Sequence, residues 1–311
     1  MTVRTMMTIV GLLVQGAWLW GDWPAELAAH EGIVAGIQFS PDGSLVTSVG
    51  YDGKLKFWKG ADGTLAREVA AHDKPIYGVS FRPSGESIAT SGLDGLVRLW
   101  SVLDGAKLAE LTGHQGIVSS VAYSPDSSQI VSAGQDKTVR LWATATNAES
   151  KKLEGHQGTI YSLALSADGK LLATASQDKV VRLWDMVAGA AMKELPGSED
   201  AVLSVAISPD AQTVYSGGMD RKIRVWSVAE GKAVREMVTS DPVFGLVLNK
   251  DGTRLISAGY SGTVAVWNLA DGSTIGSDKK AFGAYAVALS PDGKQILSGH
   301  ENGKIFARPM P

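Results

Sequence analysis

Residues 111–142 read LTGHQGIVSSVAYSPDSSQIVSAGQDKTVRLW, and stretches of the same pattern recur along most of the chain. Six copies end in a tryptophan: Trp58, Trp100, Trp142, Trp184, Trp226 and Trp267. Successive tryptophans are 42, 42, 42, 42 and 41 residues apart, and a further step of 41 reaches Arg308. A fixed period of this length predicts seven tandem copies of one supersecondary unit rather than a single irregular core.

Three other residue types recur in register with the tryptophan. A histidine stands 28 residues before it in four copies, at His30, His72, His114 and His156. An aspartate stands six residues before it in five copies, at Asp52, Asp94, Asp136, Asp178 and Asp220. A hydroxyl residue stands four residues before the aspartate position in all seven, at Ser48, Thr90, Ser132, Thr174, Ser216, Ser257 and Ser298.

The last three copies depart from this register. They carry Ser198, Thr239 and Lys280 at the histidine position, and the sixth has Ser261 where an aspartate is expected. The sixth copy is therefore expected to lack both the imidazole and the carboxylate. The fifth histidine of the chain, His300, lies outside the register.

Alternating runs rich in β-branched residues, such as IVSSVAYS and TVRLW, lie between these markers. Period-2 alternation interrupted by turn residues every 8–12 positions predicts β-strands. Asp-Gly pairs such as Asp42-Gly43 and Asp52-Gly53 supply turn chemistry between them. Each unit is predicted to be a four-stranded antiparallel meander, so the fold class is all-β.

The register residues resemble those of the WD-repeat β-propeller family, and the resemblance extends over residues 22–311. It implies a seven-bladed propeller with a Trp–Ser/Thr–His–Asp hydrogen-bond chain inside a blade, a sequence of donors and acceptors that the side chains can satisfy. The chain departs from the family pattern in keeping the Trp-Asp pair only at Trp184-Asp185. Complete hydrogen-bond chains are expected in four blades: Trp58–Ser48–His30–Asp52, Trp100–Thr90–His72–Asp94, Trp142–Ser132–His114–Asp136 and Trp184–Thr174–His156–Asp178.

The last copy supplies only three strands, over about residues 283–308. Residues 23–30, WPAELAAH, align with the fourth strand and following loop of an internal copy, LAELTGH. An N-terminal strand is therefore predicted to complete the last blade and to close the ring. Closure leaves no open sheet edge that could pair with another molecule.

Residues 1–21 precede the repeats. Their one basic residue, Arg4, stands near the start and is followed by an uncharged apolar run. This arrangement is typical of a secretory signal peptide, although no A-x-A cleavage site is present. The interpretation is a signal peptide or an uncleaved membrane anchor, and the expected location is periplasmic or secreted. Membrane-anchored and cytoplasmic locations remain alternatives, and the compact repeats favour a bacterial origin.

The composition argues against several function classes. A formal charge of −3 and no basic run argue against nucleic-acid binding. No cysteine is present, and no nucleophile elbow or phosphate-cradling loop can be found. No cofactor, metal or catalytic residue is expected. Basic residues two before five of the tryptophans, namely Lys56, Arg98, Arg140, Arg182 and Arg224, are interpreted as packed side chains rather than as a binding patch.

Aromatic residues give the functional signal. At the second position of each first strand the copies read Ala35, Tyr77, Ser119, Tyr161, Leu203, Phe244 and Tyr285. At the position directly before the register aspartate, the copies read Tyr51, Leu93, Gln135, Gln177, Met219, Tyr260 and Glu301. The family resemblance implies that both positions surround the channel mouth where peptide ligands dock. Tyrosine and methionine there suit a protein or peptide partner.

The residues predicted to bind this partner are Tyr77, Tyr161, Leu203, Phe244, Tyr285, Tyr51, Tyr260, Met219 and Glu301. The function expected is that of a non-catalytic interaction scaffold, a monomeric propeller acting within a complex. Two alternatives remain. One is an accessory subunit of a periplasmic redox complex. The other is an enzyme or cofactor-binding propeller acting through its channel, for which Glu301 is the one acidic group in the predicted ring positions.

Overall fold

The alternating runs of each repeat fold as four adjacent antiparallel strands, labelled a to d from the channel outwards. A computed structural model describes residues 23–311 and arranges their strands in seven four-stranded sheets. The turns between strands b and c take a left-handed backbone, with φ of 73° at Gly53 and 82° at Gly95. This conformation suits glycine, which has no Cβ to clash. The predicted all-β, seven-bladed architecture is confirmed.

The first four blades follow the chain without a crossover. Blade one contains β2 (Val34–Phe39), β3 (Leu45–Gly50), β4 (Lys54–Lys59) and β5 (Leu65–Ala70). Blade two contains β6 (Ile76–Phe81), β7 (Ser87–Gly92), β8 (Val97–Ser101) and β9 (Lys107–Leu111). Blade three contains β10 (Val118–Tyr123), β11 (Gln129–Gly134), β12 (Val139–Ala143) and β13 (Ala148–Leu153). Blade four contains β14 (Ile160–Leu165), β15 (Leu171–Ser176), β16 (Val180–Asp185) and β17 (Ala190–Pro196).

The last three blades have the same order of strands, and the seventh combines both ends of the described chain. Blade five contains β18 (Val202–Ile207), β19 (Thr213–Gly218), β20 (Lys222–Ser227) and β21 (Lys232–Val238). Blade six contains β22 (Val243–Leu248), β23 (Arg254–Gly259), β24 (Thr263–Asn268) and β25 (Thr274–Lys279). Blade seven contains β26 (Ala284–Leu289), β27 (Gln295–His300), β28 (Lys304–Pro309) and β1 (Glu26–Ala28).

Ring closure joins β1 to β28, where Leu27 pairs with Ile305 in an antiparallel register. Trp23 reinforces the joint because its indole N–H donates to the Gly60 carbonyl of blade one at 2.7 Å. The Trp23 side chain is buried in a cluster that contains residues of blades one and seven. The predicted completion of the last blade by an N-terminal strand is therefore confirmed.

The hydrophobic core lies between the blades. Trp184 of blade four packs in one cluster with Leu141 and Leu153 of blade three, and Trp58 of blade one packs with Leu297 of blade seven. Each tryptophan thus buries its ring against the preceding blade. The repeat needs a large flat side chain at this position because neighbouring sheets meet there.

The signal-peptide or anchor interpretation concerns residues 1–21, which lie outside the described residues. Within residues 23–311, no helix has the length and apolar character needed to span a membrane.

Candidate functional site: the channel mouth and the blade networks

Blade three contains a complete hydrogen-bond chain. The Trp142 indole donates to Ser132 Oγ at 2.8 Å, and Ser132 Oγ lies 2.8 Å from His114 Nε2. His114 Nδ1 lies 2.9 Å from Asp136. A neutral imidazole protonated at Nδ1 satisfies every member, since it donates to the carboxylate and accepts the Ser132 proton. The chain ties strands b and c to the loop and the turn on one face of the ring.

Three further blades contain the same chain. His30, His72 and His156 each lie 2.7–2.9 Å from the hydroxyl oxygen at Nε2 and 2.8–2.9 Å from the aspartate at Nδ1. Burial lowers the pKa of His72 and of His156, which favours the neutral imidazole. The geometry therefore joins all sixteen residues named for the four chains.

The aspartates at the ends of these chains are ionised. Burial by itself would raise the pKa of Asp178, but hydrogen bonds from the Gln157 N–H, His156 and Arg182 outweigh it and lower the pKa to about 2. The pKa of Asp136 is lowered in the same way, because hydrogen bonds from His114 and the Gln115 N–H outweigh the effect of burial. Both carboxylates are thus structural acceptors rather than proton donors near neutral pH.

The basic residues before the tryptophans extend the chains outwards. Arg182 lies 2.6 Å from Asp178 and 2.9 Å from Glu194 of strand d, and Arg98 bonds Asp94 and Glu110 in the same manner. Lys56 pairs with Glu68 at 2.9 Å. These cations are engaged inside their own blades, in agreement with the expectation that they do not form a binding patch.

Blade five replaces the histidine with an arginine contact. Trp226 still donates to Ser216 at 2.8 Å, but Ser198 stands at the histidine position. The buried Arg224 donates to Ser198 Oγ at 3.4 Å and pairs with Asp220. Arg224 therefore links Asp220 to the residue at the histidine position, and among residues 23–311 no hydrogen bond joins it to Ser216.

Blade seven obtains its imidazole from strand b rather than from the loop before strand a. His300, at the end of strand b, lies 2.9 Å from Ser298 Oγ, and its Nδ1 donates to the Phe282 carbonyl at 2.8 Å. Its ring meets Phe306 edge-on, with centroids 4.7 Å apart. Burial lowers its pKa. His300 lies outside the sequence register, yet it performs the role of the missing register histidine.

Blade six departs in a way that sequence reasoning missed. Trp267 donates to Ser257 at 2.8 Å, but Thr239 stands at the histidine position. The register positions hold neither an imidazole nor a carboxylate, as expected, but Asp241 of the loop between blades five and six supplies a carboxylate that accepts a hydrogen bond from Thr263 Oγ1 at 2.8 Å. The carboxylate comes from a different loop, at a position outside the repeat register.

The inner ring of the mouth is built on a repeated backbone irregularity. In every blade the pairing of strands a and b shifts by one residue at the second position of strand a, as between Ile76 and Gly78 or Val243 and Gly245. The residues skipped in this pairing are Ala35, Tyr77, Ser119, Tyr161, Leu203, Phe244 and Tyr285. A β-bulge re-aims its extra side chain, and all seven residues except Tyr285 line the central channel, about 260 Å³ in volume.

The aromatic side chains concentrate on one half of the mouth. Phe244 stacks on Tyr285 with centroids 4.7 Å apart and planes inclined by 11°, and Tyr260 meets Phe244 edge-on at 5.8 Å. Tyr51 meets Tyr77 edge-on at 5.4 Å. These five residues belong to blades six, seven, one and two, which are neighbours because the ring is closed. We call them the aromatic arc.

The arc combines buried and exposed surface. Tyr260 is 57% exposed, whereas Phe244 and Tyr285 are half-buried. Burial raises the pKa of Tyr51, and a hydrogen bond with Tyr77 raises it further. Burial also raises the pKa of Tyr285, and the nearby Glu301 charge adds to the effect. Tyr51 and Tyr285 therefore keep their protons and present neutral hydroxyls on the same face as the Glu301 carboxylate.

The other predicted mouth residues lie apart from the arc. Tyr161 and Leu203 are half-buried in blades four and five, and Met219 is 42% exposed. Phe282, 47% exposed in the loop before blade seven, is an aromatic residue that the two repeat positions did not include. A methyl group at the adjacent Gly283 would lie 3.2 Å from the Tyr285 ring, so this loop borders the arc.

The described residues show no clustered metal ligands. Within residues 23–311, no group of three or more histidine, aspartate and glutamate side chains could hold a metal ion. The residues lining the central channel include neither a carboxylate nor an imidazole. The four register histidines belong to four separate blade networks, as the sequence interpretation held.

Seven radial sheets with tryptophan-centred networks define the molecule as a seven-bladed β-propeller of the WD-repeat class. A family model described as IFT122 first beta-propeller matches residues 117–305, more than half of the chain. A model described as WD domain, G-beta repeat matches residues 22–59 and 63–101. The chain belongs to this WD-repeat β-propeller family. Comparison with curated proteins gave no match. WD-repeat propellers generally mediate protein–protein interaction and are typically non-catalytic.

Proposed function

We propose that this protein is a non-catalytic scaffold that binds a protein or peptide partner through the aromatic arc. The observation that carries the proposal is the placement of the arc on four consecutive blades, six, seven, one and two. Three ring–ring contacts join its side chains into two sets, and Tyr285 of one set contributes to the raised pKa of Tyr51 in the other. A preformed aromatic surface needs little ordering when a partner binds.

The chemistry of the arc suits a short apolar segment that carries a basic side chain. Tyrosine and phenylalanine bury large areas, and they lose little side-chain entropy because they have few rotatable bonds. Glu301 is exposed and lies near Tyr285, so a lysine or arginine of the partner can pair with it while its stem packs on the rings. Other WD-repeat propellers act by protein binding, which supports the class of partner.

The proposal is tested by affinity capture and mass spectrometry with the natural chain and a Tyr51→Ala/Phe244→Ala/Tyr285→Ala variant whose fold is verified by circular dichroism. We expect a partner that the natural chain captures and the variant loses. Truncating central aromatic anchors typically costs 2 kcal/mol or more each, about thirtyfold in affinity. A Glu301→Gln variant should weaken capture less and should make it less dependent on salt.

The matched control replaces exposed aliphatic side chains in turns between strands c and d, away from the mouth. Leu103 and Val187 are 87% and 80% exposed, so a Leu103→Ala/Val187→Ala variant removes exposed apolar surface from the opposite face of the ring. It should capture the partner as the natural chain does. Loss of capture by this control, with capture kept by the arc variant, would place the partner on the other face.

A second variant separates the arc from the rest of the mouth. Tyr161→Ala/Met219→Ala truncates the side of the ring formed by blades four and five. We expect a smaller loss of capture than for the arc variant, because no ring–ring contacts join these residues to the arc among residues 23–311. Equal losses would mean that the partner covers the whole mouth.

Export through residues 1–21 is part of the proposal, and the basic start with its apolar run supports it. Fractionation of cells that express the full chain, compared with a chain beginning at Asp22, tests it. We expect the full chain outside the cytoplasm and the shortened chain within it. Recovery of both in the cytoplasm would remove the periplasmic redox complex from the possible settings of the scaffold.

A further inference from the structure

A cavity of about 170 Å³ lies inside blade six, where the other blades hold their network side chains. Its lining includes Ser257, Trp267, Thr239, Asp241 and Ala265. Thr239 stands at the histidine position of the repeat and Ala265 at the arginine position. Both positions carry small side chains in this blade. The space that an imidazole and a guanidinium fill elsewhere is therefore left open.

The neighbouring blades show how the same position is filled. In blade three, His114 connects Ser132 to Asp136. In blade five, the buried Arg224 reaches Ser198, and in blade seven His300 reaches Ser298. Blade six thus combines the hydroxyl and a carboxylate of a complete chain with a cavity between the elements that hold them.

One polar group at the cavity, the Ser257 hydroxyl, is incompletely satisfied. Ser257 is 5% exposed and accepts from the Trp267 indole, but within residues 23–311 no acceptor takes the proton of its own hydroxyl. In the complete blades this proton goes to imidazole Nε2. Burial would raise the pKa of Asp241, yet hydrogen bonds from Ser261 and Thr263 lower it, so the carboxylate is ionised. A ring with one acceptor nitrogen and one N–H donor complements both groups.

We propose that this blade-six cavity is a binding site for an imidazole-type ring. The ring nitrogen accepts the Ser257 proton, the ring N–H donates toward Asp241, and one ring face packs on Trp267. The volume is sufficient, because an apolar protein cavity of about 150 Å³ already binds benzene. The exposed Ser240 lies in the outer wall, on the loop that faces the same side as Tyr260. The ring can therefore come from a free azole or from a histidine of a docked peptide.

The test is a titration of the full chain with imidazole in phosphate buffer at pH 8, followed by ligand-observed NMR. We expect saturable binding that is about tenfold weaker for pyrrole, which lacks the acceptor nitrogen. Ser257→Ala should weaken imidazole binding about tenfold, because the donor to that nitrogen is removed. The matched Ser216→Ala variant removes the equivalent hydroxyl of blade five and should leave binding unchanged.

Two further variants fill the cavity from within. Thr239→His restores the histidine of the repeat and should abolish imidazole binding while raising the unfolding temperature. Ala265→Leu occupies the same space with carbon, so it should also abolish binding and provides the test if Thr239→His does not fold. Absence of saturable binding to the natural chain, or binding that survives both Ser257→Ala and Ala265→Leu, would overturn the site.

The source of the ring is distinguished with N-acetylhistidine methylamide. Binding comparable to that of imidazole would indicate a peptide histidine, because the backbone is then accommodated at the loop. Binding of imidazole with exclusion of the dipeptide analogue would indicate a free azole. Either result supports the site, whereas failure of both probes contradicts it.

Discussion

Blades one to four and blades five to seven share one backbone but differ in their networks. In the first four, each tryptophan is linked through a hydroxyl and an imidazole to a carboxylate. In the last three, the histidine position holds Ser198 bonded to Arg224 in blade five and Thr239 beside a cavity in blade six, and in blade seven His300 of strand b contacts the hydroxyl instead. The comparison teaches that the strand framework and the interblade core fix the propeller. The side-chain hydrogen-bond networks can differ from one blade to the next without a change in the strands.

The largest expected loss of unfolding free energy concerns the turn glycines, which both groups of blades share. Gly53 in blade one and Gly262 in blade six both have left-handed φ, and a methyl group would lie 2.2 Å from the His72 carbonyl oxygen and 2.4 Å from that of Lys280. Alanine at either position should lower the unfolding free energy by about 4 kcal/mol, since backbone strain and a backbone clash add. Denaturant titrations of the two variants measure this.

Gly293 provides the matched control for these glycines. Its φ is 74°, but a methyl group there would meet nothing within 4 Å. Gly293→Ala should therefore cost only about 1 kcal/mol, the cost of the left-handed conformation alone. If Gly53→Ala lost much more stability than Gly262→Ala, the backbone contacts of the two regions would not be equivalent.

The next largest loss of unfolding free energy distinguishes the complete network of blade three from the altered network of blade six. Asp136 accepts hydrogen bonds from His114, from the Gln115 N–H at 3.2 Å and from Thr138 Oγ1 at 2.9 Å. Asp136→Ala should therefore lower the unfolding free energy by about 3 kcal/mol, because it leaves buried donors unpaired. Ser261 occupies the same register in blade six, where its hydroxyl bonds Asp241 and also lies 3.4 Å from Thr263 Oγ1.

Ser261→Ala should cost about 1 kcal/mol, the usual contribution of one hydrogen bond, because Thr263 still donates to Asp241 when the Ser261 hydroxyl is removed. Its small effect is the control for Asp136→Ala in the same denaturant titrations. Similar losses for the two variants would mean that the complete network contributes no more than the rebuilt one, and the distinction between the regions would not hold.

The repeat pattern predicted the architecture because strands, turns and blade packing depend on short stretches of sequence that recur in every copy. Alternation specifies strands, turn residues separate them, and the fixed position of Trp142 and its equivalents specifies where blades pack. The four complete networks could be written from register alone. The strand that closes the ring was also predictable, because residues 23–30 align with the fourth strand of an internal copy.

The remaining features depend on contacts that no register position encodes. Asp241 lies in the loop before blade six, outside the repeat register, so only the folded backbone brings it to the cavity beside Ser257. His300 is two residues from Ser298 on the same strand, but no repeat position marks it as a member of a network. The β-bulge that turns Phe244 and its equivalents toward the channel is a pairing irregularity without a sequence signal of its own. The arc itself depends on ring closure, which makes blade seven a neighbour of blade one.

The smallest expected effect is the pH-dependent contribution of Asp178 to the stability of blade four, which has a complete network. The pKa of Asp178 is about 2 in the folded protein, against about 4 in an unfolded chain. A lowered folded pKa gives stability that is fully present above about pH 4 and is lost as the pH falls toward 2. Asp178→Asn should therefore be less stable than the natural chain by on the order of 2 kcal/mol at pH 6. The difference should shrink steadily in denaturant titrations at pH 4 and pH 3. Parallel stability curves for the two proteins would mean that the Asp178 charge does not support the blade-four network.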